Sequence, residues 1–236
     1  MSTFNGGPQS IVTNGLVLYL DAANRNSYVS GSTVWNNLGS SQSTGSLING
    51  PSFNSENGGS IVFDAVNDLV TCGATTGYNT TIGTISAWIY PGAIASGVIF
   101  GQYNNDVNRL NINHTSNSFI NFFSGNSVVG VLSLTSLNTA PVSRWTCVTV
   151  TYDFITDNFA IYINGILSNS TVNSTVPNID AVGEIMIGCN KDFDNPSPYY
   201  QSFFNGRISV VNVYNRVLSA SEILQNYTSA KARYGL

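Results

Sequence analysis

Between Trp145 and Tyr152 the side chains alternate, with Val148, Val150 and Tyr152 on one side of an extended backbone and Trp145, Cys147, Thr149 and Thr151 on the other. After a polar stretch at 153–158, Phe159, Ile161 and Ile163 return along one face with Ala160 and Tyr162 on the other. The run stops at Asn164-Gly165, a pair suited to the positive φ of a tight turn. This pattern predicts an antiparallel hairpin whose two faces both carry apolar or β-branched groups. Such a hairpin needs strands beside it and a second layer over it.

Shorter runs of the same kind predict strands near 16–20, 60–63, 69–72, 84–90, 97–102, 109–113, 118–123, 128–134, 184–188 and 206–214. Between them, 21–51 reads as a long irregular stretch pinned by Trp35 and Leu38, and 168–180 and 190–202 read as polar loops. One helix is expected: Ser219 to Glu222 forms a capping box, Leu218 and Ile223 form its hydrophobic staple, and the helix should run to about residue 229. The expectation is an all-β, two-layer antiparallel jelly-roll sandwich with one short C-terminal helix. It comprises an N-terminal arm at 1–14 and a single domain at 15–236.

Composition narrows the range of functions. Hydrophobic residues make up 42% of the 236 and charged residues 8%, so a large core is covered by Asn, Ser, Thr and Gly rather than by charge. The net charge of −4, with scattered Lys and Arg, argues against a nucleic-acid partner. No apolar run is long enough for a spanning helix, and the first residues lack the features of a signal peptide, so neither membrane insertion nor ordinary export is expected. Cys72, Cys147 and Cys189, an odd count at wide spacing, read as buried thiols rather than a disulfide framework.

Three blocks carry a family resemblance. The Trp, apolar strand, Tyr-Asp turn and Ile-Tyr-Ile-Asn-Gly ending at 145–165 resemble the central hairpin of laminin-G-like jelly rolls, part of the concanavalin A-like lectin and glucanase superfamily. Phe204 to Ile208, Val213 to Ser219 and Glu222-Ile223 are similar to the closing strand and helix of those domains. Gly15 to Asn24, with Ser60 to Asp64, resembles the opening of versions found in virion structural proteins of tailed bacteriophages. The resemblance implies a non-enzymatic virion surface protein, in a head decoration, fibre or tail, made in the host cytoplasm. Its implied partners are other virion subunits, further copies of itself as a homo-oligomer, and host-surface glycans. A lectin-like module of a cellular protein is the alternative.

Glycoside hydrolases of the superfamily would need paired strand carboxylates. The three glutamates, Glu56, Glu184 and Glu222, lack the family's Glu-x-Asp-x-x-Glu spacing, and a Ser-His-Asp triad would rest wholly on His114. Calcium, which takes six to eight oxygen ligands, has two candidate loop sets: Asp64, Asn67 and Asp68, and Asp192, Asp194 and Asn195. The resemblance further implies an acidic pair after the closing strand's Gly-x-Ile, where this chain has Ser209 and Val210. Sugars are held by aromatic stacking and amide hydrogen bonds, which points to Tyr103, Asn104, Asn105, Tyr199 and Tyr200 in or beside predicted loops.

Overall fold

The computed structural model describes residues 10–103, 109–126, 130–174, 183–192 and 199–236. In chain order the strands are β1 (Leu16–Asp21), β2 (Val34–Trp35), β3 (Gly45–Ile48), β4 (Ser52–Asn54), β5 (Ser60–Asp64), β6 (Leu69–Ala74), β7 (Ile82–Pro91), β8 (Gly97–Tyr103) and β9 (Arg109–His114). They continue with β10 (Phe119–Asn126), β11 (Gly130–Thr139), β12 (Thr146–Asp153), β13 (Asn158–Ile163), β14 (Ile166–Val172), β15 (Glu184–Ile187), β16 (Asn190–Asp192), β17 (Tyr199–Gln201) and β18 (Asn205–Tyr214). Helix α1 (Ala220–Ala230) and a 3₁₀ turn (Lys231–Tyr234) close the chain.

These strands form two eight-stranded antiparallel sheets and a small β16–β17 ribbon. The first sheet runs β14-β13-β12-β7-β18-β5-β4, with β1 collinear with β5 along β18; the second runs β11-β10-β9-β8-β15-β6-β3-β2. The alternation in the central hairpin explains the layering. Val148, Val150, Tyr152, Phe159 and Ile161 point into the core between the sheets, against Ile112, Phe122 and Ile185 of the second sheet. Trp145 and Cys147 point the other way, into a separate cluster with Trp88, Val210 and Tyr234. That outer face is covered by the C-terminal helix and 3₁₀ turn, where Trp88 stacks between Tyr227 at 5.6 Å and Tyr234 at 4.0 Å.

Three expectations are corrected. The stretch 21–51 is not irregular throughout, because β2 and β3 extend the second sheet through pairing of β3 with β6 and bury Trp35 and Leu47. Strands of two and four residues are too short to show a period. The loop expected at 168–180 begins as strand β14, reversed from β13 by Asn164 at φ 52° and Gly165 at φ 78°. As an edge strand it buries few of its side chains, so its polar sequence hid it. Within 190–202, β16 pairs with β17. The described part of the N-terminal arm is docked. Val12 N–H donates to Asn226 Oδ1 at 2.8 Å, Tyr214 Oη donates to Val12 O at 3.0 Å, and Ile11 and Val12 pack on the cluster that includes Ile223.

Candidate functional site

The outer face of the second sheet carries a concavity lined by amides, an arginine and an aromatic ring. Along β9, Leu110 and Ile112 enter the core, so Arg109, Asn111 and Asn113 line the opposite face; on β10, Asn121 and Phe123 do the same beside core residues Ile120 and Phe122. Antiparallel register sets Asn111 across from Phe123 and Asn113 across from Asn121. The result is a groove of about 370 Å³, with Ser96, Gly97, Val98, Asn190 and Ser202 on its other flank. At ~3.3 Å per residue, the β9 wall from Arg109 to His114 is about 17 Å long.

Close backbone approach builds that flank. A Cβ on Gly97 would meet Phe204 Cα at 2.8 Å and Phe203 O at 2.9 Å, so only glycine admits the 202–204 segment, where Val98 N–H donates to Ser202 O at 2.9 Å. At the far end, His114 is 1% exposed, with Nδ1 3.1 Å from Ala95 O and Nε2 2.9 Å from Ala140 O. Both neighbours are acceptors, which gives the imidazole a tethering role and leaves no nitrogen facing a serine.

The floor is an amide ladder. Asn113 Nδ2 donates to Asn121 Oδ1 at 3.4 Å, and Asn121 Nδ2 donates to Ser133 Oγ at 3.0 Å and Thr135 Oγ1 at 3.1 Å. Asn111 is only 7% exposed, yet its Oδ1 has no hydrogen-bond partner among the described residues; Asn190 Oδ1 and Arg109 Nε are in the same condition. A buried unpaired amide oxygen costs about 1–3 kcal/mol, an amount that a ligand hydroxyl would offset. The Arg109 guanidinium lies 5.5 Å from the ring centre of half-buried Phe123.

The residues expected to hold glycan are only partly brought to this groove. Tyr103 is corrected: it is 1% exposed and packs with Leu69, Met186 and Cys189 under the β16–β17 ribbon, so its ring offers no face to a sugar. Tyr200 is half-buried and packs on the same cluster. Asn104 and Asn105 lie outside the described residues, and of Tyr199 only the backbone, paired with Asp192 in the ribbon, is described. Loop reasoning missed Asn111, Asn113, Asn121 and Phe123 because they sit on strands. Their signal was present in the alternation of amides with Leu110, Ile112 and Phe122.

The residues of the first calcium set sit in the turn between β5 and β6. Asp64 Oδ1 accepts from the N–H groups of Val66 at 2.8 Å and Asn67 at 3.3 Å, and Asp68 Oδ2 accepts from Asp64 N–H at 3.1 Å. These carboxylates fold the β5–β6 turn, and the Val66 N–H above all holds the Asp64 carboxyl below its ordinary range. Burial, with the Asp64 charge added, raises that of Asp68. Asp194 and Asn195 lie outside the described residues, as does the side chain of Asp192. No cluster of three His, Cys, Asp or Glu occurs among the described residues.

Where the resemblance implied an acidic pair, the structure holds a cation of its own. Ser209 marks an irregularity in β18 between its pairings with β5 and β1. There the Arg233 guanidinium donates to Asp21 Oδ1 at 2.8 Å, Asn57 O at 2.6 Å, Gly59 O at 2.8 Å and Ser209 Oγ at 2.5 Å.

All three glutamates are paired as well. Glu56 accepts from Arg207 at 2.5 Å, and Glu184 from Lys191 and from Thr71 Oγ1 at 2.5 Å; Glu222 accepts from Arg216 at 2.6 Å. Burial acts to raise the Glu184 carboxyl, but its bonds to Lys191 and Thr71 prevail and hold it below its ordinary value.

Residues 63–224 match the family model described as Laminin_G_3 of the concanavalin A-like lectin/glucanases superfamily, and the chain belongs to that family. No curated protein is significantly similar in sequence. Among solved structures it is similar to domain 4 of AbnA, a GH43 extracellular arabinanase from Geobacillus stearothermophilus, in complex with arabinotriose. The TM-score is 0.66 at 18% identity, over 92% of this chain and 100% of that one. It is also similar to the binding domain of Paraclostridial Mosquitocidal Protein 1, with TM-score 0.70 at 15% identity over 90% of this chain and 52% of that one. A third is botulinum neurotoxin type C, whose cell entry depends on interaction with two ganglioside molecules, with TM-score 0.69 at 17% identity over 92% and 51%. The chain thus spans about half the length of the toxin structures and the whole of the arabinanase domain.

Proposed function

We propose that this chain is a non-catalytic glycan-binding module that serves adhesion, holding oligosaccharide in the groove on the outer face of the second sheet. The observation that carries the reading is the amide oxygen of Asn111, a residue 7% exposed, which has no hydrogen-bond partner among the described residues and lies beside Asn113, Asn121 and the half-buried Phe123 ring. Amides that bond to hydroxyls and an aromatic that packs on an apolar sugar face are what such a ligand needs. The arabinanase domain in complex with arabinotriose and the toxin that uses gangliosides lend support from the same fold. The non-catalytic reading rests on the pairing of Glu56, Glu184 and Glu222 with cations.

On a broad glycan array the chain should give signal above background. Asn111→Ala and Phe123→Ala should each weaken the best hit by about tenfold in a protein that still melts cooperatively. An array with no hits, or hits untouched by both substitutions, overturns the assignment.

The setting we infer is a virion surface, in many copies whose weak single-site contacts add by multivalency. The support is the similarity of 15–24 and 60–64 to the opening of phage virion jelly rolls. Mass spectrometry of purified virions should find the chain at many copies per particle, with light scattering giving a homo-oligomer. Its absence from virions would favour the second reading, a module of a larger cellular protein, for which the full coverage of the arabinanase domain speaks.

A further inference from the structure

We propose that the groove selects sugars bearing a carboxylate, with Arg109 as the anion anchor; this rests on the glycan-binding reading above. Arg207, Arg216 and Arg233 each neutralise a carboxylate, whereas Arg109 faces the groove with no ion pair among the described residues. Among the described residues lining the groove it is the one with a permanently charged side chain, and none of them is a carboxylate. The Phe123 ring lies beside the guanidinium, and Nε has no acceptor among the described residues.

A guanidinium takes a carboxylate through two parallel N–H bonds, a geometry that a neutral hydroxyl cannot match. Asn111, across the sheet from Phe123, supplies the unpaired acceptor for a hydroxyl of the same sugar. The net charge of −4 opposes long-range capture of polyanions, so recognition is of a single carboxylate at Arg109 rather than of a sulfated chain. Uronic and sialic acids share that chemistry.

The test is calorimetry of the purified chain with uronic-acid oligosaccharides, sialylated oligosaccharides and the carboxyl-reduced form of each. Reduction of the preferred ligand should weaken binding by at least about tenfold. Arg109→Gln should abolish that preference, so that the acidic and reduced forms bind equally, and Arg109→Lys should restore part of it. The arm that responds identifies the acid. Equal binding of acidic and reduced forms overturns the inference and leaves the glycan-binding reading standing. Binding of neither, in a chain that melts normally, overturns both.

Discussion

At the scale of single residues, Arg233 shows how one side chain closes a gap that the strands leave open. Along β18 the partner changes from β5 to β1, and the backbone oxygens of Asn57 and Gly59 are left near the junction without ladder partners. One planar guanidinium serves both, together with Asp21 and Ser209. Arg233→Met should therefore strand a carboxylate whose side chain is 14% exposed and cost about 3 kcal/mol, read as a lower urea midpoint at unchanged slope. An unchanged midpoint would show that water serves these oxygens equally well. Nothing in the sequence pairs residue 233 with residues 21, 57 and 209, so this contact was not legible; the departure at Ser209 was.

At the scale of elements, the C-terminal helix behaves as its capping motif dictates. Ser219 Oγ accepts from Glu222 N–H at 3.3 Å, and Glu222 Oε2 accepts from Ser219 N–H at 2.9 Å. The Arg216 guanidinium first, then the Ser219 N–H, pull the Glu222 carboxyl from an ordinary 4.5 down to about 2. Because the folded value is depressed, this contribution is complete above about pH 4.5 and is lost as pH falls towards 2. The melting-temperature gap between the parent chain and Glu222→Gln should be positive at neutral pH and shrink below pH 4.5. A gap that does not change with pH would contradict the linkage. Elsewhere the legible elements were those with an apolar face towards a partner. Edge strand β14 was not, although Asn164-Gly165 announced that a strand had to follow.

For the whole molecule, the sandwich is thick enough to bury every cysteine. Cys72 packs between the sheets, Cys147 under the C-terminal segment, and Cys189 beneath the β16–β17 ribbon. Desolvation by burial leads in each case, pushing the thiols up to about 12, about 11 and about 12. A thiol reagent should therefore label none of the three in the native protein and all three in denaturant, with labelling at intermediate urea tracking global unfolding. Fast labelling of Cys189 alone would show that the ribbon opens independently. The groove is likewise a property of the whole. Its walls come from the β8-β9-β10 meander, from Asn190 of the ribbon and from Ser202 just after it, and tertiary packing brings the last two to the meander.

Period-two alternation, the Asn-Gly turn and the capping box determined strands, the central hairpin and the helix from the chain alone, because each is a local match between side-chain pattern and backbone geometry. Which amides face solvent together, which tyrosines disappear under a ribbon, and which arginine faces the groove without a carboxylate among the described residues were decided by tertiary structure. Those outcomes depend on contacts between residues far apart in the chain, and hydrophobic pattern specifies that a face is buried without specifying what buries it.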